Sequence, residues 1–340
     1  MSGPLDGLGK LSQVDASNML DQIAAMPAQV LEALKMRIDL VASVESVCLC
    51  GMGGSAISGD ILSDYAASAS TVPMAVARGV ELPRWVGPKT LVLLVSYSGG
   101  TWETLELFEE ARGRKSPIIA VTCGGELEER SREVGVGVMK VPGGVQPRAA
   151  VGHMLGACAV ALETAGVAPA RKDLTRAILP VADLKENLMP GVPTASNVAK
   201  RIALKLRGKI PVVYAPRPVR SVALRWQTQL NENAKMMAFS GEFPEMNHNQ
   251  IVGWVEGEMR DGLTPVFLRT AGRTSGIGQR MKVSIDLIKE GGVELSGRSP
   301  LETILMGVML GDFVSLYLAV LRGVDPTPVD SILELKRRMK

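Results

Sequence analysis

Two stretches decide the fold: Ser46-Val-Cys-Leu-Cys-Gly-Met-Gly-Gly-Ser55 and Thr90-Leu-Val-Leu-Leu-Val-Ser-Tyr-Ser-Gly-Gly-Thr101. Each opens with an apolar run, passes through a glycine-rich turn and enters a helical pattern. The first helix is Ala-rich and the second runs from Trp102 to Ala111. Further short apolar runs lie at Val72–Val76, Ile118–Thr122 and Val136–Val141. Apolar runs separated by helical patterns predict a parallel sheet covered by helices on both faces. Helical regions at Val151–Gly166 and Leu174–Leu206 lead to a second unit. There a strand is expected at Ile210–Ala215, a helix over Val219–Met237 and a strand at Pro265–Arg269. A Gly, Ser and Thr-rich connector (Ala271–Gly278) and a helix at Met281–Lys289 come next. The expected fold is therefore α/β, with two doubly wound parallel-sheet subdomains over 1–170 and 171–340 and terminal helices wrapping across.

The remaining helices read directly from spacing. Leu301, Ile304, Leu305, Val308, Met309, Phe313, Leu316, Tyr317 and Val320 recur at helical intervals, while Glu302 and Asp312 interrupt the apolar run. That pattern is a buried core helix, and no membrane span is expected. The last helix follows Asp325-Pro-Thr-Pro328, with Thr327 as N-cap and Pro328 as first residue.

A chain of 340 residues is long for one core, which agrees with two subdomains. Hydrophobic residues make up 46% and aromatics 4%, so aliphatic side chains and Met must build the interior. The 38 basic and 35 acidic residues leave +3, too little for a nucleic-acid footprint. The basic run Lys336-Arg-Arg338 reads as favourable charge at a helix C-terminus. Met1–Lys10 has no signal-peptide pattern, and a cytoplasmic location is expected. Cys48 and Cys50 share one face of a strand, Cys123 and Cys158 stand apart, and no zinc spacing follows. Buried thiols in a reducing compartment are expected.

A strand that delivers a glycine loop to a helix N-terminus makes an anion site, because free N–H groups and the helix dipole converge there. Gly51, Gly53 and Gly54 permit close backbone approach, and Ser55 adds a hydroxyl. A dinucleotide loop would require glycine where Ala56 stands and an acidic residue about twenty positions on. Asp60 and Asp64 lie too near for that role. The second loop brings Ser96, Ser98 and Thr101 to another helix start within six residues. One hydroxyl there would simply cap the helix; three beside a Gly-Gly pair suit a phosphate monoester.

Together the two loops resemble the sugar-isomerase (SIS) domain, which binds phosphosugars. Arg225-Trp-Gln-Thr-Gln-Leu-Asn-Glu-Asn-Ala-Lys235 and Phe243-Pro-Glu-Met-Asn-His-Asn249 resemble a narrower group, the bifunctional phosphoglucose/phosphomannose isomerases. The resemblance runs from the first loop to the Pro-Thr-Pro before the last helix. Four of the chain's seven asparagines lie between 231 and 249, around Glu232 and His248. Taken singly, Glu232 could be a solvated helix residue and His248 a surface loop histidine; together they point to a hydrogen-bonding task.

The resemblance implies an aldose–ketose isomerase acting on glucose 6-phosphate, mannose 6-phosphate and fructose 6-phosphate. Such chemistry needs a base for the C2 and C1 protons, an acid/base pair for ring opening and a cation for the enediolate. By the family's pattern Glu232 is the base, His248 assists ring opening and Arg148, in Pro147-Arg-Ala-Ala150, stabilises the enediolate. A lysine of the last helix joins the ring opening, with Lys336 preferred over Lys340. Thr327 is a possible contact to the sugar hydroxyls, and Gly54, Ser55, Ser96, Ser98 and Thr101 take the phosphate. The resemblance further implies a homodimer with shared active sites, His248 coming from the partner, and neither cofactor nor metal. Gly100 stands where the family often has Asn, and His153 reads as a core or interface histidine. A non-catalytic phosphosugar sensor and an amino-sugar isomerase or deaminase are the competing classes. The first usually carries an extra domain, and the second needs a glutaminase module or a different acid/base set.

Overall fold

The structure, a computed structural model, describes residues 3–40, 42–258, 262–270 and 275–339. Three short helices, α1 (Leu8–Val14), α2 (Met19–Ala24) and α3 (Met26–Ala33), precede the first sheet. Strand β1 (Ser46–Gly51) passes through the first glycine loop into α4 (Gly53–Ala69), and β2 (Met74–Ala77) follows. Strand β3 (Thr90–Val95) passes through the second loop into α5 (Trp102–Gly113). Then come β4 (Ile118–Thr122), α6 (Gly125–Glu133) and β5 (Gly137–Lys140). The sheet order is β2-β1-β3-β4-β5 and every pairing is parallel. All residues of β3 and β4 are buried, as their uninterrupted apolar runs require.

Helices α7 (Val151–Thr164), α8 (Ala170–Leu188) and α9 (Val198–Leu206) lead to the second sheet. Its elements are β6 (Ile210–Pro216), α10 (Arg220–Glu232), β7 (Phe239–Phe243), α11 (Gln250–Val255), β8 (Leu263–Thr270), α12 (Ser275–Ile288) and β9 (Gly292–Leu295). The order β7-β6-β8-β9 is again wholly parallel. Two helices, α13 (Pro300–Arg322) and α14 (Asp330–Arg338), close the chain. One core joins the two sheets: Val47, Leu49 and Leu91 of the first and Val213, Val266 and Leu268 of the second share it with α7, α8, α10 and α13. The alternate residues Cys48, Cys50, Val92 and Leu94 face a separate core under α5.

Helix α13 is held at both ends and along its length. Ser299 Oγ accepts the Glu302 N–H at 3.2 Å, Pro300 sits in the first turn and Gly323 ends the helix at φ 69°. Its most apolar 18-residue window is 89% buried within the protein, so this long helix is interior. Trp226 of α10 donates Nε1–H to the Gly307 carbonyl at 2.8 Å. A Cβ at Gly311 would fall 2.1 Å from the same indole nitrogen, so glycine sets this close helix crossing.

Several expected boundaries move. The 174–206 helical region is two helices, broken by the Pro190 and Pro193 segment and restarted by Asn197, whose side chain accepts the Lys200 N–H. The helix expected to Met237 stops at Glu232, where Lys235 adopts φ 51° and the chain turns into β7. Helix α12 begins at Ser275, ahead of Met281, while residues 271–274 of the connector lie outside the described residues. Thr327 is not the N-cap of the last helix; Val329 holds that position. The physical reason is local: Asp325 takes the Thr327 N–H at 2.9 Å, and the Thr327 carbonyl is taken by Arg148 at 2.9 Å.

Candidate active site

The order of the first sheet reverses between β1 and β3, and at such a switch point ligands sit outside the carboxyl ends of the strands. Both glycine loops emerge there. Ser55 Oγ accepts the Tyr97 N–H at 3.2 Å, which fastens the loops together. Ser96 Oγ donates to Thr101 Oγ1 at 3.0 Å, and Thr101 makes no side-chain cap on α5. The hydroxyl pair therefore lies across the loop, and capping does not explain it. Ser98 is exposed, its Oγ 3.4 Å from the Gly100 N–H. Gly99 is obligatory: it has φ 68°, and a Cβ there would fall 1.7 Å from the Gly124 carbonyl oxygen.

The start of α4 leans on a third segment. A Cβ at Gly54 would meet Arg148 Cα at 2.9 Å and Arg148 N at 3.0 Å. Arg148 lies in a short 3-10 turn over Pro147–Ala149 that is pinned from several sides. Val145 N–H donates to Tyr97 Oη at 3.3 Å, Gln146 N–H to Gln22 Oε1 at 2.9 Å, and Gln29 Nε2 to the Ala149 carbonyl at 3.0 Å. The arginine is 2% exposed and directs Nη1 to Glu232 Oε2 at 3.4 Å, across 84 residues of sequence. Its Nε donates to Asn233 Oδ1 at 2.6 Å, and Nη2 to the carbonyls of Pro326 and Thr327 at 2.8 and 2.9 Å. The first half of the chain thus supplies a buried cation and the second half the carboxylate beside it.

Burial holds the Arg148 pKa below the usual arginine value; Glu232 opposes that shift and Arg225 adds to it. Lys235, which sequence reasoning did not single out, is drawn into the same cluster. Its Nζ donates to the Glu232 carbonyl at 2.5 Å and the Pro326 carbonyl at 3.1 Å. Burial first, then the neighbouring Arg148, pushes its pKa down. The signal available was its place three residues after Glu232, at a helix end.

In the second sheet the matching helix start is already filled. Asp64, 1% exposed, reaches from α4 and accepts the Ser221 N–H of α10 at 2.6 Å. Asp60 pairs with Arg78 at the rim. The two carboxylates considered against a nucleotide loop are therefore structural, and Asp64 takes the place an anion would occupy.

Not every expected residue joins the pair. His248 ends a 3-10 turn over Glu245–His248; its side chain is exposed with Nε2 3.2 Å from Arg280 Nη1, and among the described residues no hydrogen bond or ion pair joins it to Arg148 or Glu232. Lys336 is exposed on α14, and Lys340 lies outside the described residues. Thr327 is 7% exposed, and its Oγ1 is buried without a hydrogen-bond partner, while its carbonyl meets Arg148. His153 is buried on α7 with Nδ1 unpartnered, and burial depresses its pKa. Among the described residues, no three His, Cys, Asp or Glu side chains are grouped to hold a metal ion.

Residues 195–339 match the family described as the bacterial phospho-glucose isomerase C-terminal SIS domain. A bifunctional phosphoglucose/phosphomannose isomerase of Caldicellulosiruptor bescii is 35% identical over 334 residues, covering 94% of this chain and 98% of that protein. One from Aquifex aeolicus is 35% identical, covering 87% and 91%. Among solved structures, a glucose-6-phosphate isomerase-like protein of Thermus thermophilus superposes with a TM-score of 0.65 at 18% identity, over 99% of each chain. That likeness carries the fold, while the sequence identities carry the kinship. With a carboxylate and a buried arginine brought together beside two hydroxyl-bearing loops, the chain belongs to the bifunctional phosphoglucose/phosphomannose isomerase family.

Proposed function

We propose that this protein is an aldose–ketose isomerase that interconverts glucose 6-phosphate and mannose 6-phosphate with fructose 6-phosphate. The observation that carries the proposal is the 3.4 Å approach of Arg148 Nη1 to Glu232 Oε2 at the edge of the β1/β3 switch point. The phosphate binds at Gly54, Ser55, Ser96, Ser98 and Thr101, where two helix N-termini and their hydroxyls converge. Glu232, as carboxylate, takes the C2 proton of the open-chain aldose and returns it to C1. The hydroxyl proton passes from O2 to O1, so no proton is gained or lost overall. The negative charge that develops on the C1–C2 oxygens falls to Arg148 Nη1. This scheme calls on no metal or cofactor.

Ring opening needs a further acid/base pair, assigned to His248 of the partner subunit and Lys336 of the last helix, with Thr327 against the sugar hydroxyls. A homodimer supports that sharing. Within one chain the His248 ring meets Arg280, and the segment around it exposes Met237, Phe239, Val252 and Val255 next to the edge strand β7. Exposed apolar side chains by an unpaired strand edge favour burial against a second copy. A cytoplasmic role in hexose phosphate metabolism, in glycolysis and gluconeogenesis, completes the proposal.

The test is Glu232→Gln, which keeps shape and hydrogen bonding but removes the base. Fructose 6-phosphate should still bind, while turnover and exchange of the transferred proton with heavy water fall by about 10²–10⁴-fold. Near-normal turnover would refute Glu232 as the base.

A further inference from the structure

Arg148 engages acceptors through all three guanidinium nitrogens, and the character of those acceptors is unusual for a buried cation. Nε meets a carboxamide, Asn233 Oδ1, and Nη2 meets two backbone carbonyls. These partners are neutral. Only Nη1 keeps long contacts, 3.4 Å to Glu232 and 3.5 Å to Gln146 Oε1, so this is the edge left for developing charge. A carboxylate at either of the other nitrogens would satisfy Arg148 fully and weaken its pull on an oxyanion.

The contact with Asn233 belongs to a closed circuit. Asn233, wholly buried, donates Nδ2–H to Ser315 Oγ at 2.9 Å, and Ser315 donates to the Asp312 carbonyl at 2.7 Å. The Asp312 carboxylate receives Arg225 Nε at 2.9 Å and Nη2 at 2.7 Å, and Arg225 Nη2 returns to the Arg148 carbonyl at 2.9 Å. The circuit begins on the Arg148 side chain and ends on its backbone, tying the 147–149 turn to α10 and α13. Ser315 spends its one proton on the Asp312 carbonyl, so Asn233 must offer it N–H and turn its oxygen to Arg148. Direction is thereby fixed around the circuit.

We propose that Asn233 is a positioning residue that aims Arg148 through a neutral contact at Nε, so that the Nη1 edge beside Glu232 is kept for the enediolate. The proposal rests on the isomerase function above. An isosteric carboxylate in its place would form a tight ion pair with Nε and put negative charge beside Glu232. A like charge so close would disfavour the carboxylate form that the base needs.

The experiment compares Asn233→Asp, Asn233→Ala and Ser315→Ala with the wild type, as full pH profiles of kcat and kcat/KM for fructose 6-phosphate. Asn233→Asp is expected to lower kcat tenfold or more, leave KM within a few-fold and move the acid limb of kcat/KM up by about one pH unit. Asn233→Ala and Ser315→Ala are expected to lower kcat without moving that limb. Equal losses in Asn233→Asp and Asn233→Ala with an unmoved acid limb would show a merely structural role and overturn the proposal. A double-mutant cycle of Asn233→Ala with Arg148→Ala, read by urea unfolding, checks the clamp without substrate. The unfolding constants should depart from additivity by roughly tenfold or more, and additive changes would overturn the clamp. A wild-type chain without isomerase activity would instead overturn the functional reading, and with it the catalytic meaning of Asn233.

Discussion

Replacing Gly54 by alanine adds one methyl group at the point where the first glycine loop meets Arg148. The new Cβ would stand 2.9 Å from Arg148 Cα, 3.0 Å from its nitrogen and 3.2 Å from the Pro147 carbonyl carbon. Carbon atoms rest about 3.5–4.0 Å apart, so the two backbones must separate by roughly 0.6–1 Å. Neither side yields freely: the 147–149 turn is bonded to α3 and to Asn233 just after α10, and α4 is packed against the core. Part of the displacement therefore reaches the guanidinium. A misplacement of about 1 Å can cost on the order of 10²-fold in rate, so kcat should fall by roughly 10–100-fold. Overpacking should cost about 1–3 kcal/mol of stability. The assay is the coupled conversion of fructose 6-phosphate to glucose 6-phosphate, with thermal melts on the same samples. A folded Gly54→Ala protein with kcat within twofold of wild type would refute the claim that the loop sets the Arg148 position.

Ser96→Ala and Thr101→Val should chiefly raise KM for the phosphosugar, by about 5–150-fold each, with kcat changed far less, because the phosphate is bound alike in ground and transition states. Steady-state kinetics decides it. Asp312→Ala leaves Arg225, 1% exposed, as a buried charge without its bidentate partner, and urea unfolding should show a loss of about 3–5 kcal/mol. The paired change Arg225→Met with Asp312→Leu should restore most of that loss yet keep activity low, since the bond to the Arg148 carbonyl is gone. Asp6 accepts hydrogen bonds from the Thr194 hydroxyl and the Gly3 and Thr194 N–H groups, which depress its pKa from 3.8 to about 2. A depressed carboxylate pKa stabilises the fold fully above pH 4, and the effect is lost as pH falls towards 2. The stability gap between wild type and Asp6→Asn should therefore be constant near neutrality and close between pH 4 and 2.

The sequence made legible what rests on local pattern. β1, β3, β4 and β6 lie where continuous apolar runs placed them, because strands largely buried on both faces read as short uninterrupted apolar runs between turns. The edge strands β7 and β9 were not legible: Phe239-Ser-Gly-Glu-Phe243 is half exposed, and Gly292–Leu295 is four residues long. The short helices α1–α3 carry too few turns for a periodic signal. In the site, Glu232 and His248 stood out as residues set among asparagines, and Arg148 came from the family resemblance alone. No periodicity links Arg148 to Glu232, or Arg225 to Asp312 across 87 residues. Asp312 was visible as a charge that interrupts an apolar helix, but its partner lies on another element. Thr327 read as a cap because Thr-Pro before a helix is a strong local signal; the contacts of Asp325 and Arg148 override it.

The most direct measurement of the central claim is to supply the purified, chelator-treated protein with fructose 6-phosphate alone and follow both aldose phosphates with time. Appearance of glucose 6-phosphate and mannose 6-phosphate, unaffected by chelator and abolished in Arg148→Ala, is the predicted result. Binding of fructose 6-phosphate with neither aldose formed would contradict it and leave a phosphosugar-binding protein without catalysis.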